Sequence, residues 1–259
     1  MPTANETNID LHQKAKSYAD VFGVIADIHP NDHMFNFLSR SKTVDEAAKI
    51  YFNGGRNNSL QLMQILSRVG IDPAKSKLLE FASGYGRVTR HLFPMLKARR
   101  YVAYDIHESA VEFIRERIGA EARLSNSRPE SVEYEGTFDF IFVLSLFSHL
   151  PDSSFSLWLT TLYNMLSPDG VLLFTTHGES VLQRDKDPRR EQSYDAKKGF
   201  GFLTKSEQAD LNTSEYGTSI SAPHYVIPAI YSATGGRIVS FAPCCWFGIQ
   251  DEWIVRKGG

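Results

Sequence analysis

At 259 residues, with 42% hydrophobic and 22% charged side chains, the chain carries enough apolar material for a large core and reads as a globular protein of one large domain or two small ones. Lys and Arg total 28 against 30 Asp and Glu, a formal charge of −2, so no global field draws in a polyanion and nucleic acid is not an expected partner. The longest strongly apolar run, 140–147, is far shorter than the about 18 residues that suggest a membrane span, and it contains Ser145.

Residues 1–16 show no apolar run behind their first charges, which argues against a secretory signal. Cys244 and Cys245 are adjacent, too close for an ordinary unstrained disulfide with one another. A reduced, cytoplasmic setting is the expectation.

The first seventy residues read as helical. Ile9, Leu11, Ala15, Tyr18, Val21, Phe22 and Ile25 recur at three- and four-residue steps and predict one apolar stripe. Thr43 with Glu46 three positions on predicts a capping box and a second helix, for which Gly54 and Gly55 supply a stop. A third helix is expected over 58–68, closed by Gly70.

From Leu78 the rhythm changes to short apolar runs alternating with amphipathic stretches, the pattern of a parallel sheet with helical crossovers. Strands are predicted at 78–81, 101–104, 122–124, 138–144 and 171–175. Helices are expected to open near Gly86, Glu108 and Asp152, with another between Arg128 and Thr137. The polar stretch 183–198 reads as an insertion or lid, followed by a short helix at Thr204 and Glu207, a second capping-box spacing. A helix over 221–233 and strands at 237–241 and 250–255 close the chain. With no helix between them, these two strands must pair antiparallel.

The chemistry concentrates in Leu78-Leu79-Glu80-Phe81-Ala82-Ser83-Gly84-Tyr85-Gly86-Arg87. It sets an acidic residue at the end of a buried strand, a small-residue turn after it, and a helix beginning at the second glycine. Gly84 and Gly86 let the backbone approach a ligand and offer amide donors near a helix N-terminus. Nineteen residues past Gly86, Asp105 ends the second strand, where a carboxylate can accept both hydroxyls of a ribose; its plainer reading is a cap on the next helix.

On these residues the chain resembles the class I S-adenosylmethionine-dependent methyltransferases over roughly residues 76 to 178 and the terminal hairpin. The family's acidic-x-Gly-x-Gly-x-Gly motif stands here as Glu80-Phe81-Ala82-Ser83-Gly84-Tyr85-Gly86, with Ala82 in place of the first glycine. The resemblance implies a Rossmann-like α/β fold with a seven-stranded sheet, helices on both faces, a C-terminal antiparallel hairpin and an N-terminal helical cover. It also implies one domain divided into cover (1–75), cofactor core (76–178), insertion (179–220) and C-terminal helix with hairpin (221–259).

S-adenosylmethionine is the implied cofactor. The resemblance has Glu80 face the methionine ammonium through the loop amides or water, and Asp105 with Ile106 hold the ribose. Asn126 and Ser127 stand where the adenine is read, though Asp is commoner than Asn there. Leu144 and Ser145 follow the fourth strand. Arg87, in the first helical turn, calls for an anion, either a protein carboxylate such as Glu80 or the methionine carboxylate, with Arg56 an equal contender for the latter. Tyr51 lies in the helix that resembles the family's cofactor cover, and is alternatively a core residue. A NAD-type dehydrogenase is disfavoured because its third glycine falls on Thr89.

The segment Leu144-Ser145-Leu146-Phe147-Ser148-His149-Leu150-Pro151 lacks the Asn-Pro-Pro-Tyr sequence of base and amide methylation, and its serines cannot replace two carboxylates around a hard dication. No metal is expected. The implied reaction is methyl transfer to an oxygen or nitrogen of a small molecule such as a phenol, sugar or amine, the rival being a scaffold that keeps the cofactor pocket without turnover. For a general base, His177 after the fifth strand ranks first, ahead of His149 before Pro151 and His224 in a late helix; a base at an ordinary imidazole pKa predicts a rate rising between pH 6 and 7.

Overall fold

The computed structural model describes residues 4–184, 187–206, 208 and 210–258. In chain order the helices α1 (Ala4–Phe22), α2 (His33–Ser39) and α3 (Val44–Val69) precede β1 (Lys77–Phe81). There follow α4 (Thr89–Leu96), β2 (Arg100–Asp105), α5 (Glu108–Phe113), β3 (Glu121–Leu124), β4 (Phe138–Val143), α6 (Asp152–Asn164) and β5 (Leu166–His177). The remainder is α7 (Ser180–Arg184), α8 (Pro188–Ser193), β6 (Tyr194–Asp195), β7 (Phe200–Leu203), β8 (Thr218–Ser221), α9 (Pro223–Thr234), β9 (Arg237–Trp246) and β10 (Gln250–Arg256).

The main sheet has seven strands in the order β3-β2-β1-β4-β5-β10-β9, and a second sheet has the order β6-β7-β8. β2 with β3, β1 with β4 and β4 with β5 pair parallel, while β10 lies antiparallel to both β5 and β9. The expected α/β class, seven strands and terminal antiparallel pair are therefore present. β4 is apolar at nearly every position and buried along almost its whole length, as a parallel strand covered on both faces requires.

By contacts the chain divides into two compact units, Met1–Ser76 with Ser83–Leu124, and Lys77–Ala82 with Ser125–Gly259. In the first, α1, α2 and α3 enclose a core of Ala15, Ala19, Phe35, Ala47, Ala48, Tyr51 and Phe52, with Leu11, Tyr18 and Phe22 packed against it. The predicted stripe of α1 is thus corrected in two places: Ala19 is buried, whereas Val21 is 75% exposed. Two residues along a helix is a turn of roughly 200°, so the two cannot share a face. The side chain of Ile9 lies outside the described residues.

The capping box at Thr43 forms as expected, with Thr43 Oγ1 accepting from the Glu46 amide and Glu46 Oε2 from the Thr43 amide. The predicted stop at Gly54 and Gly55 does not occur, because α3 is one helix from Val44 to Val69. The glycines serve close approach. A Cβ on Gly55 would stand 2.3 Å from the Arg87 carbonyl oxygen and 2.8 Å from the His91 ring, and one on Gly54 would stand 2.6 Å from an Arg87 guanidinium nitrogen. The terminal Gly70, at φ 77°, closes the helix as predicted.

In the second unit the 128–137 stretch forms only a 3-10 turn, Pro129–Ser131, in place of the expected helix. Proline, three glutamates and Gly136 leave it no apolar face to bury. The insertion is built differently from the expected loop and helix: α7 and α8 lead into the antiparallel strands β6, β7 and β8, with Tyr194 opposite Gly201 and Phe200 opposite Ser221. Thr204 lies just past β7, and Glu207 lies outside the described residues. Among the described residues no helix is long and apolar enough to cross a membrane.

Candidate active site

In the first unit the glycine loop leaves Ser83 with its amide on the Tyr104 carbonyl, 3.0 Å away, which pins the loop beside the end of β2. Gly84 at φ 56° and Gly86 at φ 73° both occupy the left-handed region that glycine enters without steric penalty. Their tasks differ. A Cβ on Gly84 would meet nothing within 4 Å, so its backbone borders open space, whereas one on Gly86 would stand 2.3 Å from Ile118.

The left-handed turn at Gly86 also delays the helix. α4 opens at Thr89, three residues later than expected, and Arg87 precedes it instead of standing in its first turn. The Arg87 side chain runs over Gly54 of α3.

Asp105 ends β2 and is 5% exposed. Its Oδ2 accepts from the Gly84 amide at 2.7 Å, and its Oδ1 accepts from the His107 amide at 3.0 Å and from His107 Nδ1 at 2.8 Å. A carboxylate has about four lone-pair positions, so three are filled and one remains for an outside donor. The expectation of two ribose hydroxyls on Asp105 therefore contracts to one in this arrangement. Asp105 is also no simple cap on α5, since it bonds the loop amide on the far side.

Ile106 is half-buried directly after it. Tyr51 is fully buried and donates to Asp32 at 2.6 Å, which makes it a core residue and not a cofactor contact. Arg56 lies over the Phe22 ring with Nη1 on Met95 Sδ.

In the second unit, β1 delivers Glu80, 4% exposed, and Ala82, which reaches φ 59° despite its Cβ. Asn126 and Ser127 are exposed, and Asn126 Oδ1 accepts from the Arg128 amide, closing a turn. After β4, Leu144 is half-buried and Ser145 turns left-handed at φ 70°. The Ser145 amide donates to Thr175 Oγ1 at 2.9 Å, and its hydroxyl exchanges bonds with Gln250, to which Thr175 also donates at 2.7 Å. This network joins the ends of β4, β5 and β10.

Beside it stand two of the predicted histidines. His149 Nδ1 is 2.7 Å from the Gly217 carbonyl oxygen, and the Gly217 amide returns a bond to the His149 carbonyl. A carbonyl only accepts, so Nδ1 carries the proton and the lone pair of the neutral ring sits on Nε2. The ring stacks on Tyr216 at 4.5 Å and meets His177 edge-on at 6.3 Å.

His177 is 8% exposed, and its buried Nδ1 has no hydrogen-bond partner. Burial pushes its pKa down to about 3, with the charges of His149 and Arg190 acting in the same direction and a bond to the Ser219 backbone opposing them. The expected rate profile through an ordinary imidazole pKa does not fit such a group. His224 is exposed and lies against Gly199, as the second residue of α9.

Sequence reasoning missed Gln250 and the buried Arg90. Gln250 sits in a strand whose partners are distant in sequence.

Open space beside Gly84 and a spare acceptor on Asp105 fit a group that presents a hydroxyl to the end of β2. Residues 79–172 match the family described as "Methyltransferase domain". A malonyl-[acyl-carrier protein] O-methyltransferase from Bacillus cereus is 26% identical over 180 residues, covering 64% of this chain and 66% of the relative, just under two thirds of its length.

Among solved structures, an S-adenosylmethionine-dependent methyltransferase from Clostridium acetobutylicum has a TM-score of 0.55 at 15% identity, covering 78% of this chain and 91% of its own. The magnesium protoporphyrin IX methyltransferase from Synechocystis, solved with bound SAH, has a TM-score of 0.59 at 11% identity, covering 87% and 93%. The matched segment holds the glycine loop and Asp105. Over residues 79–172 this chain is similar to the methyltransferase-domain family, and its α/β fold is that of the solved S-adenosylmethionine-dependent methyltransferases.

Proposed function

We propose that this protein transfers the methyl group of S-adenosylmethionine to an oxygen or nitrogen of a small molecule, with Asp105, Gly84 and Ile106 holding the ribose side of the cofactor. The observation that carries this assignment is the Asp105 carboxylate, buried at the end of β2, tied to the Gly84 amide and keeping one lone pair open. Glu80 balances the methionine ammonium, and Asn126 and Ser127 read the adenine. Arg87 or Arg56 pairs with the methionine carboxylate. When bound, the cofactor supplies an electrophilic methyl on a sulfonium.

His149 is the group that takes the proton from the acceptor. Its Nδ1–H is committed to the Gly217 carbonyl, which fixes the tautomer with the ring's basic lone pair on Nε2. The stack on Tyr216 keeps the ring from rotating. His177, neutral and buried, orients the acceptor through Nδ1 rather than removing its proton. His224, exposed on α9, takes no part in this assignment.

The test is mass spectrometry of products after incubation with isotopically labelled S-adenosylmethionine and a panel of phenols, sugars, amines and a malonyl thioester, the last because of what the Bacillus cereus relative's name states. Labelled product with release of S-adenosylhomocysteine is the expected result. Cofactor binding without turnover on any member would favour a scaffold, and tight nicotinamide-cofactor binding in its place would overturn the assignment.

A further inference from the structure

Arg90 is 2% exposed, and none of its side-chain acceptors is a carboxylate. Its five N–H donors are all engaged. Nε bonds the Gly86 carbonyl at 3.2 Å and Nη2 the Tyr85 carbonyl at 3.4 Å, both in the glycine loop. Nη1 bonds the carbonyls of Ile25 and Asp27 at 3.3 and 2.7 Å, in the segment that follows α1. The remaining Nη2 donor goes to Tyr51 Oη at 3.1 Å, and that hydroxyl donates in turn to the buried Asp32.

The rings of Tyr51, Phe52 and Phe113 surround the guanidinium at 5.2 to 6.0 Å. The same segment touches the loop a second time, where His29 stacks on Tyr85 at 4.5 Å and 12° and Ile25 packs against Tyr85 and Phe113. A buried guanidinium is expensive to desolvate, and charge-assisted bonds to backbone carbonyls offset that only while every acceptor stays in place. Two strips of backbone distant in sequence therefore share one set of bonds.

Resting on the methyltransferase reading, we propose that Arg90 is a positioning residue that couples the glycine loop to the segment 25–29, so that cofactor binding at the loop and ordering of that segment occur together. Arginine is required for its fork, since three ammonium hydrogens on a lysine cannot reach four carbonyls and a hydroxyl on opposite sides. A residue filling the core alone would stabilise the unit without linking the two strips.

Hydrogen exchange and calorimetry on the full chain, with S-adenosylhomocysteine as the probe, separate these cases. In the wild type the probe should protect both 83–88 and 24–29. In Arg90→Lys the affinity should fall about tenfold or more, protection of 24–29 should vanish, and exchange of β2 should stay unchanged. Turnover at saturating cofactor should remain within about threefold, the loss appearing in KM.

Arg90→Lys that matches the wild type in affinity and in protection of both segments overturns the coupling. If that variant fails to fold, Tyr51→Phe decides, because it keeps the ring and removes one of the five acceptors: a severalfold weaker affinity with reduced protection of 24–29 supports the proposal, and no change in either overturns it. A wild-type chain that does not bind the probe refutes the methyltransferase reading, an outcome distinct from binding that is indifferent to Arg90.

Discussion

Asp105 does two jobs with one carboxylate, and the balance between them sets the size of its mutational effect. Asp105→Ala should weaken S-adenosylmethionine binding by about 1.5–3 kcal/mol, one charge-assisted hydrogen bond, or roughly 10- to 150-fold. The same change frees the Gly84 and His107 amides, so the loop should also lose protection in the unliganded protein. Calorimetry on the folded variant, with hydrogen exchange beside it, reads both effects, and unchanged affinity would reduce Asp105 to a loop anchor.

For proton removal, His149→Ala should lower kcat by about 10²–10⁴ while leaving cofactor affinity within a few-fold. His177→Asn, which keeps an acceptor near Nδ1, should raise the KM of the methyl acceptor with a smaller effect on kcat. Steady-state kinetics that instead place the whole kcat loss at His177 would reverse the two roles.

At the scale of elements, α3 shows how a glycine pair is ambiguous in sequence. Two adjacent glycines after ten helical residues satisfy every local criterion for a stop, and only the partner packed on them shows that they are there for close approach. The two positions should respond with opposite signs. Gly55→Ala meets the Arg87 carbonyl and the His91 ring, neither of which can move cheaply, and should destabilise by about 1–3 kcal/mol. Gly54→Ala meets the far end of a flexible Arg87 side chain and should stabilise by about 0.5–1 kcal/mol through helix propensity. Urea denaturation of both variants tests the pair, and equal signs would contradict the packing account.

The first four strands, by contrast, were legible almost to the residue. β1, β2, β3 and β4 lie within a residue or so of the predicted ranges, because short apolar runs between polar stretches leave few registers. β5 extends past prediction at both ends, where Leu166 pairs with Phe138 of β4 and where Thr176 and His177 pair with β10, and β9 runs on to Trp246 opposite Gln250 of β10, so strand length there follows the partners and not the hydrophobic pattern.

At the scale of the whole molecule, two histidines held neutral by burial shape the acid limb of stability. His91 and His177 both have pKa values pushed down to about 3, chiefly by burial, with nearby cationic side chains adding to the effect at each. Above the unfolded imidazole value near pH 6.5 neither state carries these protons, so the stability is fully present. As the pH falls below it, the unfolded chain protonates while the folded one does not, and stability is lost until the folded values are passed. The slope between pH 6 and 4.5 should approach about 1.4 kcal/mol per pH unit for each histidine. Denaturant midpoints measured across that window should flatten in His177→Asn, and an unchanged slope would show that the ring is solvated.

Composition, the change of hydrophobic period at Leu78 and the run from Glu80 to Arg87 with Asp105 beyond it determined the α/β class, the terminal antiparallel pair and the resemblance to the methyltransferases, because each depends on residues close together in the chain. The capping box at Thr43 was equally local. Tertiary structure alone decided which glycines pack and which face open space, that Tyr51 belongs to the core and that Arg90 joins two distant backbone strips. It also decided that His177 is shut away from water while His149 has its tautomer fixed by Gly217. Burial and hydrogen-bond partners arise between residues tens of positions apart, and they, more than residue type, set the protonation and reach of each side chain.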